Sequence, residues 1–222
     1  MCMRHLPFGR ILIVFTVVVA CSSLSRDPGP TIPLRVLLQQ IHTVPQRASV
    51  LGYQREAFGP GWESKGRGCT TRDIALQQAL GGVDKHQCPI RQGTGIDPYS
   101  GITIGVTTGA DIELDHVFPL RAAWDMGAHN WSLNQRKNFA NDPRNLIVAS
   151  KKTNQDKSDS LPSEWMPPKQ NAHCWYARRV AEVTVTWQLA LTPHDVATMK
   201  NACIFRESIP LPLKWPVEPH RF

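Results

Sequence analysis

The sequence predicts an α+β domain stapled by disulfides, and three observations carry that expectation. Short apolar runs punctuated by Gly and Pro fill the middle of the chain. Helical patterns fill its last third. Four cysteines, Cys69, Cys88, Cys174 and Cys203, lie within the folded part. With 222 residues, 41% hydrophobic and 19% charged, the chain fits one globular domain with a small appendage. That balance excludes a disordered or fibrous protein.

The elements follow in order. Residues 1–21 read as an export signal: Arg4 and Arg10 give a basic start, and ILIVFTVVVA (11–20) is apolar but too short to span a bilayer. Val18-Val19-Ala20-Cys21 resembles a bacterial lipobox, which makes Cys21 a candidate lipid anchor; plain cleavage after Ala20 or Ser23 is the other exit. The expected destination is therefore outside the cell, free or attached to its surface. Residues 22–50 form a Ser- and Pro-rich linker and a short helix from Leu34 to Val44, with Leu34, Leu37, Leu38 and Ile41 on one face. The globular domain covers 51–205, and a proline-rich tail covers 206–222.

Within the domain, Thr71 is placed to cap a helix over TRDIALQQAL that stops before Gly81-Gly82. Short strands are expected around 102–106 and over 111–118, the second ending at Pro119. Leu120–Met126 and Ser132–Phe139 read as short helices, and Asn141-Asp142-Pro143 as a turn. A strand over Asn145–Ala149 and a helix over Lys151–Ser158 come next. A helical pattern runs from Ala172 to Leu191, weakened by the β-branched run at 183–186. Thr192 and Pro193 open the last helix as N-cap and first residue.

Export implies an oxidising compartment, where four cysteines suggest two disulfides. Three connectivities exist; Cys69–Cys88 and Cys174–Cys203 each close a local loop and are favoured. A zinc site is the competitor, supported by His86 near Cys88 but weakened by the lack of a Cys-x-x-Cys pair. The net charge is +7, and +5 once Arg4 and Arg10 leave with the signal. That balance suits a polyanionic partner, while nothing points to a protein partner.

The stretch IELDHVFPL (112–120) sets Asp115 and His116 inside an apolar run, where such groups are costly without partners. Asn145 precedes the next strand, and Asn154-x-x-Lys157 lies on the helix after it. This order resembles the HNH, or ββα-metal, endonuclease motif. The surroundings resemble exported HNH proteins related to the C-terminal domain of GmrSD restriction enzymes. Those pieces include GYQREAFG (52–59), CTTRD (69–73), DPYSG (97–101), LDHVFPLRAAWDMGA (114–128), FANDPRNLIVAS (139–150), TNQDKSD (153–159) and CWYA (174–177).

The resemblance implies an HNH core embedded in a mostly helical, disulfide-stapled domain. It implies a metal-dependent endonuclease that cuts nucleic acid, DNA in preference to RNA, and leaves 5′-phosphate ends. His116 falls on the general base, Asp115 and Asn154 on metal ligands, and Asn145 on the central residue that holds the loop. Lys157 falls on a basic position that reaches a phosphate. Asn154 departs from the usual histidine, which favours Mg²⁺ and keeps Mn²⁺ or Zn²⁺ open. Arg136 and Arg144 are candidate phosphate clamps, with pairing of Arg136 to Asp142 the alternative.

Adjacent strand residues point to opposite faces, so the strand is expected to end at or before Asp115, with Glu113 a reserve ligand on the same face. The second function class is a catalytically inactive, nuclease-like surface protein that binds nucleic acid or an anionic polymer. A purely structural exported domain is the third.

Overall fold

The computed structural model describes residues 32–106 and 112–203. The export signal with Cys21, nearly all of the Ser/Pro-rich linker and the proline-rich tail lie outside the described residues.

Helix α1 (Leu34–Gln40) buries Leu34 and Leu37, and Ile41 follows on the same face. It packs on the two C-terminal helices, so this segment belongs to the folded body. Strand β1 (His42–Thr43) follows. A single 3-10 turn at Arg55–Phe58 leads to β2 (Ser64–Gly66) and β3 (Cys69–Thr70), a small antiparallel hairpin. Helix α2 (Thr71–Ala79) is capped one residue earlier than the sequence suggested. Thr70 accepts from Asp73 N–H while the Asp73 carboxylate accepts from Thr70 N–H, a reciprocal pair that Thr71 would not complete with Ile74. Strands β4 (Thr94–Ile96) and β5 (Thr103–Gly105) form the next hairpin.

The centre is the antiparallel pair β6 (Ile112–His116) and β7 (Leu146–Ser150), with Leu114 opposite Val148 and His116 opposite Leu146. Helices α3 (Leu120–Asp125) and α4 (Leu133–Ala140) are inserted between these strands. Helix α5 (Lys151–Lys157) leaves directly from β7, and Ser150 caps it by accepting from Thr153 N–H. Strand β6 runs in register through His116, which corrects the expectation that it ends at or before Asp115.

Helix α6 (His173–Trp187) ends sooner than its pattern suggested, because Gln188 turns left-handed at φ 52°. Ala190–Leu191 then becomes β8, paired in parallel with β1. The β-branched run 183–186 stays helical: Val183 and Thr184 are fully buried, so packing overrides propensity. Helix α7 (Pro193–Ala202) starts at the expected Thr192 cap.

Two apolar clusters result. The larger joins α1, α3, α6 and α7 around Phe118, Phe139 and Tyr176. The smaller gathers Leu76, Leu80, Ile90 and Ile104 beneath Leu114 and Val148. The pair β6–β7 divides them, since alternate strand residues face opposite ways. Cys69–Cys88 staples the smaller cluster, with Cα atoms 5.1 Å apart. Cys174–Cys203 ties the start of α6 to the end of α7, at 4.7 Å. All four folded cysteines are therefore in disulfides, which removes the zinc reading built on Cys88.

Candidate active site

Two features of β6 build the site. Among the described residues the strand pairs with β7 alone, and no described strand lies along its other edge. Asp115 and His116 leave it toward opposite clusters, yet both border a cleft of about 370 Å³ together with Arg55, Arg121 and Asn154.

On one face, the i, i+2 pair of β6 meets the i, i+3 pair of α5. The Glu113 carboxylate accepts from Asn154 Nδ2 at 2.7 Å. The Asp115 carboxylate accepts from Lys157 Nζ at 2.9 Å and from the Tyr99 hydroxyl at 2.7 Å. Lys157 also donates to the His116 carbonyl at 2.8 Å and is 0% exposed. Its ammonium therefore ends at Asp115 and the β6 backbone. Burial pushes the Asp115 carboxyl up from its ordinary range, with Lys157 and Tyr99 pulling it back.

The DPYSG segment supports this face twice. Asp97 accepts from Ser100, from Tyr99 N–H and from the hydroxyls of Ser150 and Thr153, which pins the start of α5. Burial opposes ionisation of Asp97, but those donors outweigh it and hold its carboxyl below the ordinary value. Tyr99, two residues on, supplies the hydroxyl at Asp115.

On the opposite face lies His116, 5% exposed. Its ring stacks on Trp62 at 5.6 Å between centroids. Its Nε2 lies 2.9 Å from the Ala140 carbonyl oxygen. A carbonyl only accepts, so Nε2 carries the hydrogen and Nδ1 keeps the lone pair. Burial pulls the imidazole pKa down to about 3; the Ala140 carbonyl opposes this, and the charges of Arg55 and Lys157 add to it. The ring is neutral across the physiological range. A second cleft, bordered by Phe58, Pro60 and Trp62, adjoins the same imidazole, and Arg55 borders both.

Asn145 lies outside both clefts. Its Oδ1 accepts from Phe118 N–H at 2.7 Å, and its Nδ2 donates to the Phe118 carbonyl at 3.1 Å. Its own carbonyl accepts from Val117 N–H at 2.8 Å. It therefore fixes the chain immediately after His116. Arg136 bonds the carbonyls of Ala57, at 2.8 Å, and Trp131, and lies over the Trp124 ring. Arg144 takes the Asp142 partner considered for Arg136, at 2.8 Å, and borders a separate groove with Lys65 and Arg179.

The structure thus brings Asp115, His116 and Asn154 to one cleft and turns Lys157, Asn145 and Arg136 into its scaffold. Sequence reasoning missed Tyr99, Trp62 and Arg55 as site residues. Tyr99 and Arg55 sit in the quoted DPYSG and GYQREAFG segments, which was the available signal. Trp62 had none, since its partner is distant in sequence.

A neutral imidazole with one open nitrogen, beside a carboxylate and an amide in a cation-rimmed cleft, is chemically able to accept a proton and to sit beside an anion. Residues 88–194 match the family described as GmrSD restriction endonucleases, C-terminal domain, which suggests a nuclease-like function. An uncharacterized secreted protein of Arthroderma benhamiae is 32% identical over 202 residues, 87% of this chain and 98% of that one. The chain belongs to one family with that fungal protein, and its residues 88–194 are similar to the GmrSD C-terminal domain. No solved structure matches.

Proposed function

We propose that the protein is an exported, metal-dependent endonuclease of the HNH type that hydrolyses phosphodiester bonds of nucleic acid, DNA before RNA. The observation that carries this reading is the commitment of His116 Nε2 to the Ala140 carbonyl, which leaves a neutral Nδ1 as the base. The order β6, β7, α5, with Asp115-His116 on the first strand and Asn154 on the helix, supports the HNH assignment. Export is supported by the two disulfides and by the name of the fungal relative. Lipidation at Cys21 is the surface-attached variant of the same proposal.

Asp115 and Asn154 fit a hard divalent ion. Each Asp115 oxygen holds one side-chain donor, and with the His116 amide as a third donor one of the four acceptor positions is still open. Asn154 gives its Nδ2 hydrogen to Glu113, which leaves its carbonyl oxygen as the ligating end. Among the described residues no cluster of three His, Cys, Asp or Glu side chains occurs, so an ion held by Asp115 and Asn154 would take its remaining ligands from solvent and phosphate, which would suit Mg²⁺ or Mn²⁺ better than Zn²⁺. When bound, the ion neutralises charge at the phosphate and leaving oxygen. His116 Nδ1 accepts the proton of the attacking water, while Asn145 and Ala140 hold the ring's position.

The test is plasmid and single-strand cleavage by the oxidised protein starting after Ser23, with Mg²⁺, Mn²⁺, Zn²⁺ or EDTA. His116→Ala should lower metal-dependent nicking by about 10²–10⁴-fold while the protein stays folded. Full activity in that variant overturns the base. Folded protein that cuts nothing with any metal favours the inactive, anion-binding surface protein instead.

A further inference from the structure

We infer that Arg55 is a substrate-binding residue that holds the phosphodiester where the two clefts meet beside His116. The inference rests on the nuclease reading above and adds a residue to it.

Among the described residues, Arg55 and Arg121 are the cations that border the two clefts, and Arg121 is engaged, as are Lys157 and Arg47 nearby. Lys157 is taken by Asp115 and the His116 carbonyl. Arg121 bonds Asp125 at 3.2 Å and lies over the Tyr53 ring. Arg47 is held by Asp125 and Asp159. Arg55 borders both clefts, is exposed, and its side chain makes no hydrogen bond or ion pair with the described residues. A guanidinium presents a planar fork of donors that matches phosphate oxygens. Unpaired beside a base, it is placed for an anion brought by the ligand.

The turn carrying it is held firmly. Phe58 is buried against Phe139, with ring centroids 6.1 Å apart. Gly59 has φ 102°, and a Cβ there would lie 2.8 Å from Lys137 Cγ, so the turn sits hard against α4. Arg136 bonds the Ala57 carbonyl from behind. Arg136 and Arg55 thus divide the work that the sequence suggested for Arg136 alone: one braces the turn and the other faces the ligand. A braced arginine loses less freedom on binding than one on a mobile loop.

The test separates binding from cleavage. Anisotropy of a labelled single-stranded oligonucleotide and a duplex is measured in EDTA from about 50 to 200 mM salt. Wild type is compared with Arg55→Ala, Arg55→Lys and Lys200→Ala, the last an exposed cation on α7. Arg55→Ala should weaken binding by roughly tenfold at low salt and lower the slope of log K against log salt by about 0.7–0.9, one phosphate contact. Arg55→Lys should keep the slope but nick more slowly, because its ammonium lacks the fork. Lys200→Ala should match wild type. Wild-type affinity and slope in Arg55→Ala, or no binding by any form, overturns the inference. If the wild type cuts nothing but the Arg55→Ala slope still falls, the nuclease reading fails while the contact stands.

Discussion

His116 is buried as a neutral imidazole, and that has a measurable cost in acid. The unfolded ring titrates near 6.5, and the folded one near 3. Between those values the unfolded chain binds a proton that the folded chain does not, so stability falls as pH falls, by about 1.4 kcal/mol per unit. Asp115 works the other way, because its raised pKa lets the folded state hold a proton. Asp97 and Asp142, both held low, act only below the ordinary carboxylate range. Comparison with His116→Gln isolates the imidazole. In EDTA, urea unfolding at pH 7 and pH 5 should show wild type losing about 2 kcal/mol more than the variant. Parallel losses would mean that His116 titrates like a surface histidine, and the buried-base geometry would fall. Lys157 is the second residue whose removal is informative. Lys157→Met leaves Asp115 buried with the Tyr99 hydroxyl as its remaining side-chain donor, and should destabilise by about 3–5 kcal/mol. Adding Asp115→Asn should restore part of that loss; strict additivity would show that the two do not act as a pair.

The unit that matters at the next scale is β6–β7–α5. Much of it was legible in the sequence, because its punctuation is local. Pro119 follows β6, Asp142-Pro143 sets the turn before β7, and Ser150 caps α5. Asp115, His116 and Asn154 fall on these elements as expected, whereas Asn145, expected as the first residue of the strand, ends the 3-10 turn just before β7. What was not legible is where long side chains end. Lys157 and Arg136 look like surface cations in sequence, but Lys157 finds Asp115 across the fold and Arg136 finds the carbonyls of Ala57 and Trp131. Nothing within a few residues of either one encodes that choice. The expected early end of β6 erred for a related reason. It assumed that two neighbours cannot serve one cleft, whereas side chains from both faces of β6 border the same space along the edge where no described strand pairs. The same logic explains Gln188, where one left-handed residue converts the end of a helical pattern into β8.

Across the whole molecule the two disulfides have different duties, because they staple different clusters. Each closes a loop of a few tens of residues or fewer, and each should contribute about 3 kcal/mol. Cys174–Cys203 lies in the larger cluster, where α6 and α7 already bury many apolar side chains. Cys69–Cys88 secures the smaller cluster, which backs Leu114 and contacts Trp62, the ring stacked on His116. The smaller cluster has fewer apolar groups to hold its shape once the staple is cut. Loss of the two bonds should therefore separate in activity although it is similar in stability. Cys174→Ser/Cys203→Ser, assayed well below its melting transition, should retain nicking within about twofold, the scale of a change that leaves the site's geometry intact. Cys69→Ser/Cys88→Ser should lose roughly tenfold or more at the same margin below melting, because a shift of about 1 Å behind Trp62 misplaces the base. Trp62 fluorescence is hard to resolve among seven tryptophans, so amide exchange of α2 and of β6 is the better structural readout. It should quicken in the second variant and not in the first. Equal activity in both would mean that the smaller cluster holds its shape without the bond, and that the wall behind His116 is set by the β6–β7 pair alone.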